Sequence, residues 1–120
     1  MKHISLYPLL LIMLFCCITT TNSYAQNGQV KKANEMFDRF AFPEAAEAYK
    51  KILAKSEDVS EAKIKLADCY RLMNMPVEAE YWLEQVVELP ESEPVHKYYY
   101  GMALKANGKF DQAKNMFMEY

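Results

Sequence analysis

Four rows of residues repeat at one fixed spacing, and that spacing constrains what this chain can fold into more than anything else in it. Ala45, Ala79 and Ala113 lie 34 residues apart, as do the small residues Ala33, Ala67 and Gly101. Met36, Tyr70 and Leu104 keep the same offset, and so do Tyr49, Leu83 and Phe117. A 34-residue period, with apolar residues at helical spacing inside each unit, describes helix–turn–helix pairs stacked into a solenoid. The most regular unit is Ser60–Glu93, two amphipathic patterns joined by a short turn. Its small residues recur because helices can cross closely only where a side chain is missing.

Ahead of the repeats, Met1–Ala25 reads MKHISLYPLLLIMLFCCITTTNSYA. Lys2 gives a basic start, Leu6–Ile18 an apolar core, and Ser23-Tyr24-Ala25 a close with small residues at its first and third positions. That is the layout of a cleaved secretory signal peptide, with a mature chain from Gln26. The apolar core is shorter than the roughly 20 residues that a membrane span needs. Neither Cys16 nor Cys17 follows the small residues of a lipidation site, since Phe15 and Cys16 precede them. The expected division is a signal peptide over 1–25, a first unit over 26–59, a second over 60–93 and a truncated third over 94–120.

After the signal, the pattern predicts six helices. The first spans about Gln29 to Phe40, with Ala33, Met36, Phe37 and Phe40 as its apolar stripe. Pro43 and Pro76 suit first turns, where a missing N–H would have no partner anyway. The second helix buries Ala45, Tyr49, Ile52 and Leu53. The third, about Glu61 to Met73, buries Ile64, Leu66, Ala67, Tyr70 and Met73, with Ser60 expected to cap it. The fourth, about Val77 to Leu89, packs Ala79, Trp82, Leu83, Val86 and Val87 before Pro90. The fifth starts near Pro94 and closes at Asn107-Gly108, where glycine can turn left-handed at no steric cost. The sixth starts near Phe110 and carries Phe110, Ala113, Met116, Phe117 and Tyr120 on one face. Solenoids ordinarily finish on a polar face, so this apolar one is expected to be covered, by more chain or by a partner.

These rows resemble the tetratricopeptide repeat (TPR). Its small residue, its aromatic three later, its alanine and its second aromatic fall on Ala67, Tyr70, Ala79 and Leu83 in the middle unit. The first unit has Ala33, Met36, Ala45 and Tyr49, and the third Gly101, Leu104, Ala113 and Phe117. The family's early tryptophan is replaced by Gln29, Lys63 and Lys97, and its closing proline comes one place early at Pro90. The resemblance implies an all-α, right-handed helix–turn–helix solenoid of about three units. It also implies a peptide groove lined by the first helix of each unit: Val30, Asn34, Ile64, Asp68, Arg71, Tyr98, Met102 and Lys105. Some relatives grip a C-terminal carboxylate there. Of the five matching positions only Asn34 agrees, the others being Val30, Lys65, Val95 and Tyr99, so a carboxylate clamp is not expected.

The sequence offers little chemistry beyond docking. A formal charge of -2 gives no footprint for nucleic acid. Gly28, Gly101 and Gly108 are too far apart for a phosphate loop, and no nucleophile elbow or metalloprotease pair appears. His96, read as a surface residue at a helix start, lacks partners for a metal site, and Cys69 reads as a packed, inert thiol. The row Glu78, Glu80, Glu84, Glu88, Glu91 and Glu93 reads as a solvated face and loop. No catalytic residue, cofactor, metal or small-molecule substrate is therefore expected; the partner is a protein or peptide. The signal followed directly by degenerate repeats also resembles Bacteroidota outer-membrane-associated proteins. In those, TPR units precede a β-propeller and an OmpA-like peptidoglycan-binding domain, and some members serve type IX secretion. The layout implies an exported scaffold, periplasmic or outer-membrane-associated, touching peptidoglycan-anchored components through further domains. The alternative is a regulatory or substrate-delivery subunit of an exported enzyme complex.

Overall fold

In a computed structural model, residues 24–120 are described, and nearly all of the expected signal segment lies outside them. The described chain is all helix and turn. The helices are α1 over residues 24–38, α2 (Phe42–Lys55), α3 (Ser60–Leu72), α4 (Pro76–Val86), α5 (Pro94–Ala106) and α6 (Phe110–Glu119). From α2 onward each helix packs chiefly on the next, α2 on α3, α3 on α4, α4 on α5 and α5 on α6. The six helices thus stack in sequence as about three helix pairs. None of the described helices is long and apolar enough to cross a membrane.

The period reappears in the backbone. Phe40, Asn74 and Gly108 all have positive φ, at 61°, 55° and 79°. In each unit the next residue donates its N–H back into the first helix: Ala41 to Met36 O at 3.0 Å, Met75 to Tyr70 O at 2.9 Å, Lys109 to Leu104 O at 2.9 Å. This left-handed stop satisfies carbonyls that the helix end leaves open. Helix restart is equally regular, with Ala45, Ala79 and Ala113 donating to Ala41, Met75 and Lys109. Glycine and asparagine tolerate positive φ; for Phe40 it crowds the Cβ, at a cost of about 1–2 kcal/mol. The same geometry throws Phe40 out to 78% exposure, so it does not join the apolar stripe of α1 as its spacing suggested.

The core follows the small-residue rows. Ala33, Ala45 and Ala62 are fully buried around Tyr49 and Leu66, and Ala67, Ala79, Leu83 and Val86 continue the core into the next unit. Ile64, Tyr70, Met73 and Trp82 pack from the sides, half-buried. Gly101 has a specific reason to lack a side chain. An added Cβ would lie 2.6 Å from the ring of Phe117. Two local expectations need correction. Ser60 is the first helical residue rather than the cap, because Val59 holds the cap position and makes no side-chain bond there. His96 is 8% exposed rather than on the surface. Its Nδ1 accepts the Glu93 N–H at 2.9 Å and lies 3.2 Å from Ser92 Oγ, so the ring closes the start of α5 and carries its proton on Nε2.

Candidate functional site

The first helices of the three units, α1, α3 and α5, are linked by two matching side-chain contacts. Lys65 Nζ of α3 lies 4.4 Å from the centre of the Phe37 ring of α1. Arg71 of α3 lies with its guanidinium 4.0 Å from the centre of the Tyr99 ring of α5. Phe37 and Arg71 are 34 apart, as are Lys65 and Tyr99, so the same two positions meet twice with cation and ring exchanged. Each contact is worth about 0.5–1 kcal/mol at a partly exposed site. Arg71 is also held on its own helix, its Nε and Nη2 donating to Asp68 Oδ1 at 3.2 and 3.0 Å. Lys105 is the next residue in the Phe37–Arg71 row and is exposed.

The eight sequence-predicted groove residues separate into four groups. Met102, 44% exposed, and Lys105 are open on α5, and Asp68 with Arg71 forms the half-buried ion pair on α3. Val30 is 7% exposed and belongs to the core, with only an edge in a cavity of about 580 Å³ beside Asp58 and Glu61. Ile64 packs on the core around Leu83, and Tyr98, though 39% exposed, meets Phe117 of α6 and the following Tyr120 at a tilt, with ring centres 5.8 and 5.5 Å away. These three serve packing first.

Asn34 has a different task. Its Oδ1 accepts the Tyr49 hydroxyl proton at 2.5 Å, and its Nδ2 donates to Glu61 at 2.7 Å. The carboxylate can only accept, which fixes the orientation of the amide. One side chain thereby ties α1 to α2 and α3. Tyr49 is fully buried, and burial, helped by the nearby Cys69, Glu61, Asp38 and Asp68, pushes its phenol well above the ordinary value. The one position that agrees with a carboxylate clamp is therefore already engaged inside the fold. Sequence reasoning also missed Leu72, 44% exposed on α3 near the groove end; its failure to repeat in the apolar rows was the available signal.

Two other groups stand apart from docking. Cys69 is fully buried, and burial followed by the Asp68 charge pushes its thiol up to about 12, the reverse of what a reactive thiol needs. Glu80 is more than a solvated acid. Its carboxylate accepts from Lys109 and, at 2.6 Å, from Asn107, whose amide also reaches Pro76 O at 2.9 Å. Burial works to raise the Glu80 pKa, but the Lys109 and Asn107 hydrogen bonds and the Lys109 charge outweigh it and leave it lowered. Among the described residues no group of three or more His, Cys, Asp or Glu side chains is arranged to hold a metal.

Residues 36–94 match a family model described as tetratricopeptide repeat. No curated protein sequence matches the chain. Among solved structures, the second TPR of Spaghetti (RPAP3), bound to the HSP90 peptide SRMEEVD, is similar with a TM-score of 0.71. It shares 22% identity, and the match covers 84% of this chain and 94% of that one. At that identity the likeness carries the fold and nothing about the ligand.

Proposed function

Because this chain is a tetratricopeptide repeat protein, we propose that the face shared by α1, α3 and α5 docks a peptide or an extended segment of a partner protein. The observation that carries this reading is the pair of matched cation–ring contacts, which link the three first helices one to the next. At its far end Met102, Leu72 and Lys105 stand open to solvent. Methionine and aromatic residues are common anchors at protein contacts. A repeat domain of this fold is typically a scaffold rather than a catalyst. The similar RPAP3 domain holds a peptide, so the shared fold is compatible with that use.

The layout of Met1–Ala25 supports export, and with it a scaffold in a periplasmic or outer-membrane-associated assembly of the OmpA-like or type IX secretion kind. The test is affinity capture from an envelope fraction with the native chain and with Met102→Glu combined with Lys105→Glu. Both positions are exposed, so circular dichroism should stay helical while capture of the partner falls at least severalfold. Undiminished capture by the double variant would place docking elsewhere. Export is checked separately by fusing residues 1–25 to a periplasm-dependent reporter, which should become active.

A further inference from the structure

A second hollow, of about 430 Å³, lies between α2 and α4, the second helices of the first two units. Its volume falls within the range of small ligand sites. Leu53 and Ala54 form part of its wall, and Tyr81, Trp82 and Gln85 of α4, Lys63 of α3 and Glu57 from the turn before it line the remainder. Tyr81 and Trp82 meet edge to face with ring centres 5.2 Å apart, and Tyr81 is 61% exposed. The corresponding positions of the other units hold Glu47 with Ala48, and Asn115 with Met116, so the aromatic pair belongs to this unit alone.

The third unit, unlike the first with its Gln29 and Lys51, shows a partner for the lysine. Residues 97 and 119 correspond to 63 and 85, and there Lys97 Nζ pairs with Glu119 Oε2 at 3.1 Å, joining α5 to α6. In the hollow the carboxylate is replaced by Gln85, whose amide turns back to the Tyr81 carbonyl at 3.4 Å. Lys50, the other cation of the wall, is engaged by Glu47 at 2.8 Å. Among the ion pairs of the described residues none involves Lys63.

We propose that this hollow docks an acidic peptide segment, with a carboxylate side chain on Lys63 and a neighbouring apolar side chain against Leu53 and the Tyr81–Trp82 pair. The carboxylate takes the place that Glu119 fills one unit on. A sugar would need several hydrogen-bonding groups along the wall. Apart from the charged side chains only Gln85, the Tyr81 hydroxyl and the Trp82 indole N–H supply them.

Trp82 is the only tryptophan of the chain and reports on the hollow directly. The probe is an acetylated and amidated heptapeptide of aspartates and glutamates around one phenylalanine. It has no free terminal carboxylate, so it does not mimic a C-terminus. Titration should change Trp82 emission saturably, and the same peptide with asparagine and glutamine in place of the acids should not. Gln85→Glu, which rebuilds the ion pair of the third unit and occupies Lys63, should weaken binding about tenfold, the loss of one charge-assisted contact. Lys63→Met should weaken it similarly, and Arg71→Ala, on the α1–α3–α5 face, should leave it unchanged. The proposal is overturned by a flat titration, by equal binding of the neutral peptide, or by Gln85→Glu binding as well as the native chain. Sensitivity to Arg71→Ala, or binding of a uronic-acid oligosaccharide in place of the peptide, would overturn it too.

Discussion

Tyr49 in the first unit and Phe117 in the third occupy the same register position, but only the first is fully out of water. Tyr49 is enclosed by α1, α2 and α3, and its hydroxyl is spent on Asn34. Phe117 is half-buried, with its ring against Gly101 and Tyr98. The two helices differ in the same way: α2 buries five residues, whereas α6 buries Ala113 and leaves Phe110 and Met118 exposed, as is Tyr120 just after it. The lesson is that a repeat position specifies a contact direction, while the neighbouring unit decides how much area that contact removes from water. Stability should therefore be uneven along a stack whose pattern is even.

The comparison breaks most visibly by truncation. Tyr49→Ala should cost about 3–5 kcal/mol, as large-to-small changes in a filled core do. Phe117→Ala should cost only about 1–2 kcal/mol, because part of its ring is already wet. Urea titrations of both variants give the difference, and equal losses would erase the contrast between the two ends. Next in size is Asn34→Ala, which strands the buried Tyr49 hydroxyl and should cost about 1–3 kcal/mol. Adding Tyr49→Phe should recover part of that loss.

Gly101→Ala sharpens the other end. The new Cβ meets the Phe117 ring, and overpacking of that kind costs about 1 kcal/mol or more. Combined with Phe117→Leu the penalty should largely vanish, because the ring is what excludes the methyl group; a double-mutant cycle in urea reads the coupling. A smaller gain is expected at Phe40. Phe40→Gly relieves a crowded left-handed backbone and gives up an edge-to-face contact with Phe42 with ring centres 6.0 Å apart. The net should be a stabilisation of about 0.5–1 kcal/mol, seen as a raised melting temperature.

The gentlest lever is alkaline pH. Folding holds the Cys69 thiol neutral up to about 12, whereas the unfolded chain ionises it near 9.0. Its raised value therefore contributes full stability below the unfolded pKa and loses it as pH rises toward the folded one. Melting temperatures taken between about pH 8 and about pH 10 should fall, and less steeply in Cys69→Ala.

The stack itself was legible because close helix crossings demand small residues, and Ala33, Ala67 and Gly101 cannot hide that demand. The left-handed stops were half-legible. Asn74 and Gly108 announce them, while Phe40, the third member of that row, disguises the same geometry behind an apolar side chain. His96 was misread because a histidine that accepts from the backbone three residues earlier has no marker in a hydropathy pattern. The groove was the least legible part. Val30 and Asn34 fall on the expected helix face, but their burial and bonding depend on Tyr49 and Glu61, which reach them from other helices. The exchange of cation and ring between units could not be read either, since periodicity tracks residue class and these pairs swap it.

The central functional claim is that the face shared by α1, α3 and α5 is the docking surface for the principal partner. Hydrogen–deuterium exchange of the purified chain, with and without the captured partner, tests it most directly. Added protection should concentrate in α3 and α5, around Asp68–Arg71 and Tyr99–Lys105, and leave α6 as fast as before. Protection confined to α2, α4 or α6, with α3 and α5 unchanged, would contradict it.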